Sequence, residues 1–323
     1  MQILASDTAR EASEAIQAML AQKHQARPSE RFFQADHGRI WNAIVNGGWT
    51  ELGLDEKHGG PGLGLLDLAI VAETWGRHLT PLPFIPTMLV RRWAQSDAGT
   101  HGNTMLTYGL PGIDIGPDIK AHALSPFLGV PGVQYVTGIA PLSSVEFAAI
   151  PVPAAAAAPC ADSAKNDRGK PRADHAPSLP LGRAPIATAG LSDEAKLEIA
   201  ILGAAELIGC CLTLLEITID YARERKQFGH AIAEYQAIQH RLANMHRDIE
   251  VSRTAVIWAV NEPEKARGAV RIVWDRTRAV TENSFQIHGG FGYTWDSGVH
   301  YYSRHVWAMG LLLRACGVHL WPN

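Results

Sequence analysis

The chain has 323 residues, with 29 Lys and Arg against 32 Asp and Glu, for a formal charge of −3. At roughly 150 residues per domain, that length suggests two domains or one large composite one. Hydrophobic residues at 46% and charged residues at 19% exclude an intrinsically disordered chain, and the near-neutral balance gives no electrostatic basis for binding nucleic acid or an anionic membrane.

The opening MQILASDTAR lacks the basic-then-apolar order of a signal peptide, and no run approaches 18 uninterrupted apolar residues. A soluble cytoplasmic protein without a membrane span is the expectation. Residues 1–98 are predicted to form an N-terminal helical domain. Its glycine-rich break, Lys57-His58-Gly59-Gly60-Pro61-Gly62-Leu63-Gly64, precedes Leu65, Leu66, Leu68, Ala69, Ala72 and Trp75 at helical spacing. Asp67 complements the dipole of that helix, which should stop near Arg77-His78-Leu79-Thr80-Pro81 because proline disfavours continuation.

Residues 99–185 are expected to hold a reduced β region and a flexible linker. Strand-like pieces occur at Thr104–Leu106, Gly132–Thr137 and Val145–Val152, before Pro153, five alanines, Pro159 and the polar stretch Ala161–Pro185. Residues 186–323 read as a four-helix bundle. Leu197, Ile201, Ala204, Ile208, Cys211, Leu215, Ile219 and Ala222 step by three or four, as do Ile238, Leu242, Met245, Ile249, Ser252, Val256 and Ala259. Ala266–Gln286 and a final apolar segment complete it. Cys160, Cys210, Cys211 and Cys316 show no C-x-x-C spacing, so buried thiols are expected rather than disulfides or a zinc site.

Two turns carry candidate chemistry. Glu224-Arg225-Lys226-Gln227-Phe228-Gly229 ends the first long helix. It reads either as a basic, glycine-capped last turn or as a phosphate site, with the Arg225 guanidinium as the fork and Gln227 as a neutral partner. Gln286-Ile287-His288-Gly289-Gly290-Phe291-Gly292-Tyr293 has three glycines in four positions, which suits either a sharp helix–helix turn or close approach of a ligand to the main chain. It lacks the strand-to-helix setting of a dinucleotide fingerprint.

Taken together, the two turns resemble the signatures of the acyl-CoA dehydrogenases. So do Ile232 and Gln236-Ala237-Ile238-Gln239-His240-Arg241-Leu242-Ala243-Asn244-Met245, together with Arg304. Glu51-Leu52-Gly53-Leu54, Gly59-Gly60 and Glu73-Thr74-Trp75-Gly76-Arg77 resemble that family's N-terminal domain. The resemblance implies a mainly α, acyl-CoA dehydrogenase-like fold. It also implies FAD held between subunits and removal of two hydrogens from the α and β carbons of an acyl-CoA thioester. Carried over by position, it places Arg225 and Gln227 at the FAD pyrophosphate, with Phe228 packing nearby. Tyr235 and Gln236 fall near the adenosine end, and Gln286, Ile287, His288, Gly289 and Gly290 line the adenine and ribose.

The reaction needs a base near neutral pKa. The position the resemblance assigns to the usual catalytic glutamate is Leu313, inside Met309-Gly310-Leu311-Leu312-Leu313-Arg314-Ala315, and the alternative helix position is Ile199. Glu198 is adjacent, but one residue turns a helical side chain by about 100°. His288, His305 and Asp296 match no family precedent, and the middle region lacks a strand motif for packing the flavin ring. A donated half-site is thus kept while the chain's own catalytic half-site is eroded. This implies a subunit paired with a related, catalytically complete chain in an α2β2 heterotetramer of the steroid side-chain type. The acyl-CoA would be bound mainly by the partner, with a flavoprotein as electron acceptor. A self-sufficient homo-oligomer with a relocated base and a non-enzymatic scaffold remain as alternatives.

Overall fold

A computed structural model describes residues 4–23, 37–80, 82–94 and 191–320, with six short strands between 105 and 184. The N-terminal part contains α1 (Asp7–Lys23), α2 (His37–Asn46), α3 (Leu65–Gly76) and α4 (Phe84–Ala94). The Ser6 hydroxyl accepts from Ala9 N at the start of α1, and Ser6 N donates to Asp67 Oδ1 at 2.7 Å. Asp67 therefore does more than complement a dipole, since its buried carboxylate ties α3 to the mouth of α1. Helix α3 ends at Gly76, just before the segment leading to Pro81, as its composition predicts.

Among the described residues, six strands lie between the helical parts: β1 (Met105–Tyr108), β2 (Ala123–Pro126), β3 (Val133–Val136), β4 (Ile139–Ala140), β5 (Ser144–Val145) and β6 (Leu181–Ala184). They pair as β1 with β3 in parallel, and as β2 with β6 and β4 with β5 antiparallel. Strand β6 corrects the expected linker: its last residues pair with Ala123–Pro126, so they belong to the β region. The rest of the expected linker, from Pro153 to Pro180, lies outside the described residues, as does Cys160.

The bundle consists of α5 (Asp193–Glu224), α6 (Gln236–Asn261), α7 (Ala266–His288) and α8 (Val299–Ala315). Ser192 caps α5 by accepting from Ala195 N at 3.2 Å, one of the orphan donors of a helix start. The stripe read from the sequence of α5 faces inward, with Ile201, Ala204, Ile208, Cys211, Leu215 and Ala222 buried. By length and mean hydropathy (1.9 over 18 residues) α5 could cross a membrane, a property that counting uninterrupted apolar runs misses. However, 72% of that window is buried inside the protein, as in a core helix.

Helices α3 and α5 cross through two glycines. A methyl group on Gly76 would run into the Glu206 carbonyl, and one on Gly209 into the Glu73 carbonyl. Polar contacts flank the crossing: Thr213 Oγ1 donates to the Arg77 carbonyl at 2.9 Å, and Arg77 pairs with Glu216 at 2.6 Å. Arg253 on α6 forks onto Glu73 on α3. Gly209→Ala is therefore expected to cost about 1–3 kcal/mol by overpacking. Gly268→Ala, on an exposed stretch of α7 with nothing nearby, should stabilise by up to about 1 kcal/mol. Thermal melts of the two variants check this, and equal melts would contradict the close crossing.

Candidate cofactor cleft

After Glu224 the backbone of Arg225 turns extended (φ −72°, ψ 122°). The chain then forms a small hairpin, β7 (Lys226–Gln227) with β8 (His230–Ala231), pairing antiparallel. The two residues at its tip, Phe228 and Gly229, have φ of 52° and 87°, the sign pattern that right-handed strand twist demands of a two-residue loop. This corrects the glycine-capped reading of the segment. Gly229 serves the hairpin instead of ending the helix, and Phe228 accepts a left-handed backbone that a bulky residue rarely adopts. The Phe228 side chain is 92% exposed.

At the other turn, α7 ends where Gly289 takes φ 58° and ψ −142°, close to a region essentially confined to glycine. Residues Gly289–Tyr293 then wind into a 3₁₀ turn. The hairpin that follows α5 and the turn that ends α7 border an open cleft of about 1030 Å³. Arg225, Gln227, Phe228, Tyr235, Ile287, His288, Gly289 and Gly290 all line it. Gln236 and Gln286 are exposed but are not among its lining residues. Glu224 and Phe291, quoted within the two turns but given no role there, also line this wall, and the sequence reading missed Tyr221. The signal for Tyr221 was its place one turn before the end of α5, where an aromatic side chain reaches the mouth of the bundle.

The hairpin is held by two contacts across its base. Ile232 N donates to the Arg225 carbonyl at 2.8 Å, and Tyr235 Oη donates to the Gln227 carbonyl at 2.9 Å. Arg225 is exposed, and among the described residues its guanidinium has no carboxylate partner. A Cβ on Gly289 or Gly290 would meet nothing within 4 Å, so no neighbouring side chain or backbone requires the glycine at 290. A free guanidinium opposite open backbone suits a phosphate-bearing ligand.

Of the candidate bases, His288 lines this cleft, and the catalytic positions named by the resemblance lie elsewhere, in closed surroundings. Leu313 is 0% exposed and packs with Met309 against Gly203 of α5. Ile199 is likewise core. Glu198 accepts from Trp93 Nε1 at 2.6 Å and pairs with Arg92 at 3.2 Å, so its carboxylate is a strut between α4 and α5. His305 is fully buried beside Glu206, at 3.2 Å, and Asp296 is exposed.

Residues 5–102 match the acyl-CoA dehydrogenase N-terminal domain, and residues 199–312 the acyl-CoA dehydrogenase C-terminal domain. The Mycobacterium tuberculosis acyl-CoA dehydrogenase IpdE2 is 30% identical over 310 residues, covering 92% of this chain and 91% of the relative. The chain belongs to the acyl-CoA dehydrogenase family. That family is FAD-dependent, so the expected cofactor class stands at family level. Among solved structures, a variant of the Tcur3481-Tcur3483 steroid ACAD is similar with a TM-score of 0.66 and 20% identity, covering 94% of this chain and 92% of the other. The ChsE4-ChsE5 complex from Mycobacterium tuberculosis gives 0.63 and 18%, covering 98% and 96%. At these identities the likeness is one of fold, and it bears out the mainly α architecture.

Proposed function

We propose that this chain is one subunit of a heteromeric, FAD-dependent acyl-CoA dehydrogenase, lending the Arg225 and Gly289-Gly290 turns to an FAD completed by a related partner chain. The contrast between the two half-sites carries the reading. The cleft is open and chemically suited to a dinucleotide, whereas Leu313, Ile199 and Glu198 are committed to core packing or an ion pair. FAD, when bound, would accept the hydride from the acyl β-carbon. This chain's part would be to grip the pyrophosphate with Arg225 and Gln227 and to let the nucleotide approach the backbone at Gly289 and Gly290. The α-proton would be taken by a carboxylate of the partner.

The likeness to the ChsE4-ChsE5 complex and to the Tcur3481-Tcur3483 steroid ACAD supports an α2β2 assembly acting on a steroid side-chain CoA ester, with electrons passing to a flavoprotein. We place the functional boundaries at 1–98, 99–185 and 186–323. Co-expression with a related acyl-CoA dehydrogenase chain tests the reading, by flavin absorbance and subunit ratio of the purified complex. Equal amounts of the two chains with bound flavin are expected. A homo-oligomer that is yellow and oxidises acyl-CoA by itself would refute it. Gly290→Ala should leave the melting temperature of the free chain unchanged and lower the flavin content of the complex, because the added methyl meets ligand rather than protein.

A further inference from the structure

The ends of α5 and α7 are joined twice, about one helical turn apart. Deeper in, the hydroxyls of Thr218 and Ser284 lie 2.8 Å apart. At the cleft the Tyr221 ring stacks on the His288 imidazole, with centroids 4.4 Å apart and planes at 21°. Tyr221 is also nearly parallel to Phe291, at 5.5 Å and 8°. Tyr221 Oη donates to the His288 carbonyl at 3.4 Å. His288 is 4% exposed, and its Nδ1 lies 2.9 Å from the Ser284 carbonyl. A carbonyl can only accept, so Nδ1 carries the proton, and in the neutral ring Nε2 carries a lone pair.

We propose that His288 accepts, through Nε2, a hydrogen bond from a hydroxyl or amino group of the nucleotide, with Tyr221 and Ser284 fixing its tautomer and plane, so that cofactor retention weakens in acid. This inference rests on the FAD-binding reading above. Protonation would turn the acceptor into a donor. Burial pushes the imidazole below its usual 6.5, against the opposing pull of the Ser284 carbonyl, so the acceptor persists through neutral pH. The other titratable or charged groups lining the cleft are Tyr221, Glu224, Arg225 and Tyr235. Of these Glu224 is the acidic side chain. Its neutralisation would favour an anionic ligand, the opposite sign to His288.

The test is FAD release from the complex with its co-expressed partner, followed by flavin fluorescence between about pH 5 and about pH 8. The dissociation constant should be flat at neutral pH and rise up to roughly tenfold per pH unit below the His288 pKa. His288→Phe keeps a ring for stacking but removes Nε2, so FAD should bind more weakly at neutral pH and show no acid slope. Glu224→Gln should keep the slope. In the wild-type chain, side-chain nitrogen shifts of His288 should report the Nδ1–H tautomer, which needs no variant to fold. A slope that survives in His288→Phe, a slope lost in Glu224→Gln, or an Nε2–H tautomer would each overturn the proposal. If Arg225→Ala leaves FAD retention unchanged, the underlying function fails instead.

Discussion

Arg225→Ala is expected to lower the FAD affinity of the assembled complex ten- to a hundredfold while leaving the folding of the free chain intact. Loss of a charge-assisted phosphate contact costs about 1.5–3 kcal/mol, which converts to that range. The competing account makes Arg225 a cation at a helix terminus, worth about 1 kcal/mol of stability at most. Its extended backbone weakens that account, because the residue has already left the helix axis. The two accounts move different observables. Flavin titration of the complex reports one, and thermal melting of the isolated chain reports the other. An unchanged FAD dissociation constant would remove the donated half-site.

Leu313→Glu should destabilise the chain strongly without creating activity. The leucine is sealed in the core beside Met309, and truncating such a residue alone costs about 2–5 kcal/mol. In this apolar core burial would raise the pKa of a carboxyl by up to about 3–5 units. A carboxyl whose folded pKa is raised binds its proton more tightly in the native state than in the unfolded one. The added penalty is therefore absent below the unfolded value of about 4.3 and grows as pH rises toward the folded value. Melting of the variant should accordingly fall, relative to wild type, from about pH 4 to about pH 8. Leu312, Arg314 and Ala315 do not supply the Gly and Thr that the family resemblance places after the base. Acyl-CoA oxidation by the isolated variant would show that only the base was missing.

The helical parts were legible because their apolar spacing is regular. The buried stripe of α5 and the lower half of the α6 stripe, from Met245 to Ala259, are the residues that the periodicity selects. The β region was harder to read. Strand β6 sits in a proline-bounded polar context, and its pairing with Ala123–Pro126 depends on long-range register rather than local composition. At the cleft, the glycines and Arg225 were readable as residue types. The hairpin was not, because Phe228 at its tip violates the preference for Asn or Asp there and so masks the turn signal. Tyr221 was hidden because one aromatic residue in a helix looks like core until the packing of α7 against it is known. The strut role of Glu198 required knowing that Trp93 and Arg92 of α4 reach it.

The crossing of α3 on α5 also bears on how the protein is made. Arg77 and Thr213, which hydrogen-bond at that crossing, are 136 residues apart in the chain, and Glu73 and Arg253 are 180 apart. At typical elongation rates α3 leaves the ribosome on the order of ten seconds before α5 exists to cover it. During that interval Leu68, Val71, Ala72 and Trp75, all buried in the finished protein, have no bundle to pack against. Over that interval the side chains that α5 later covers stay open to water. A ribosome stalled between the two halves would release a fragment with these apolar side chains uncovered on the α5 side.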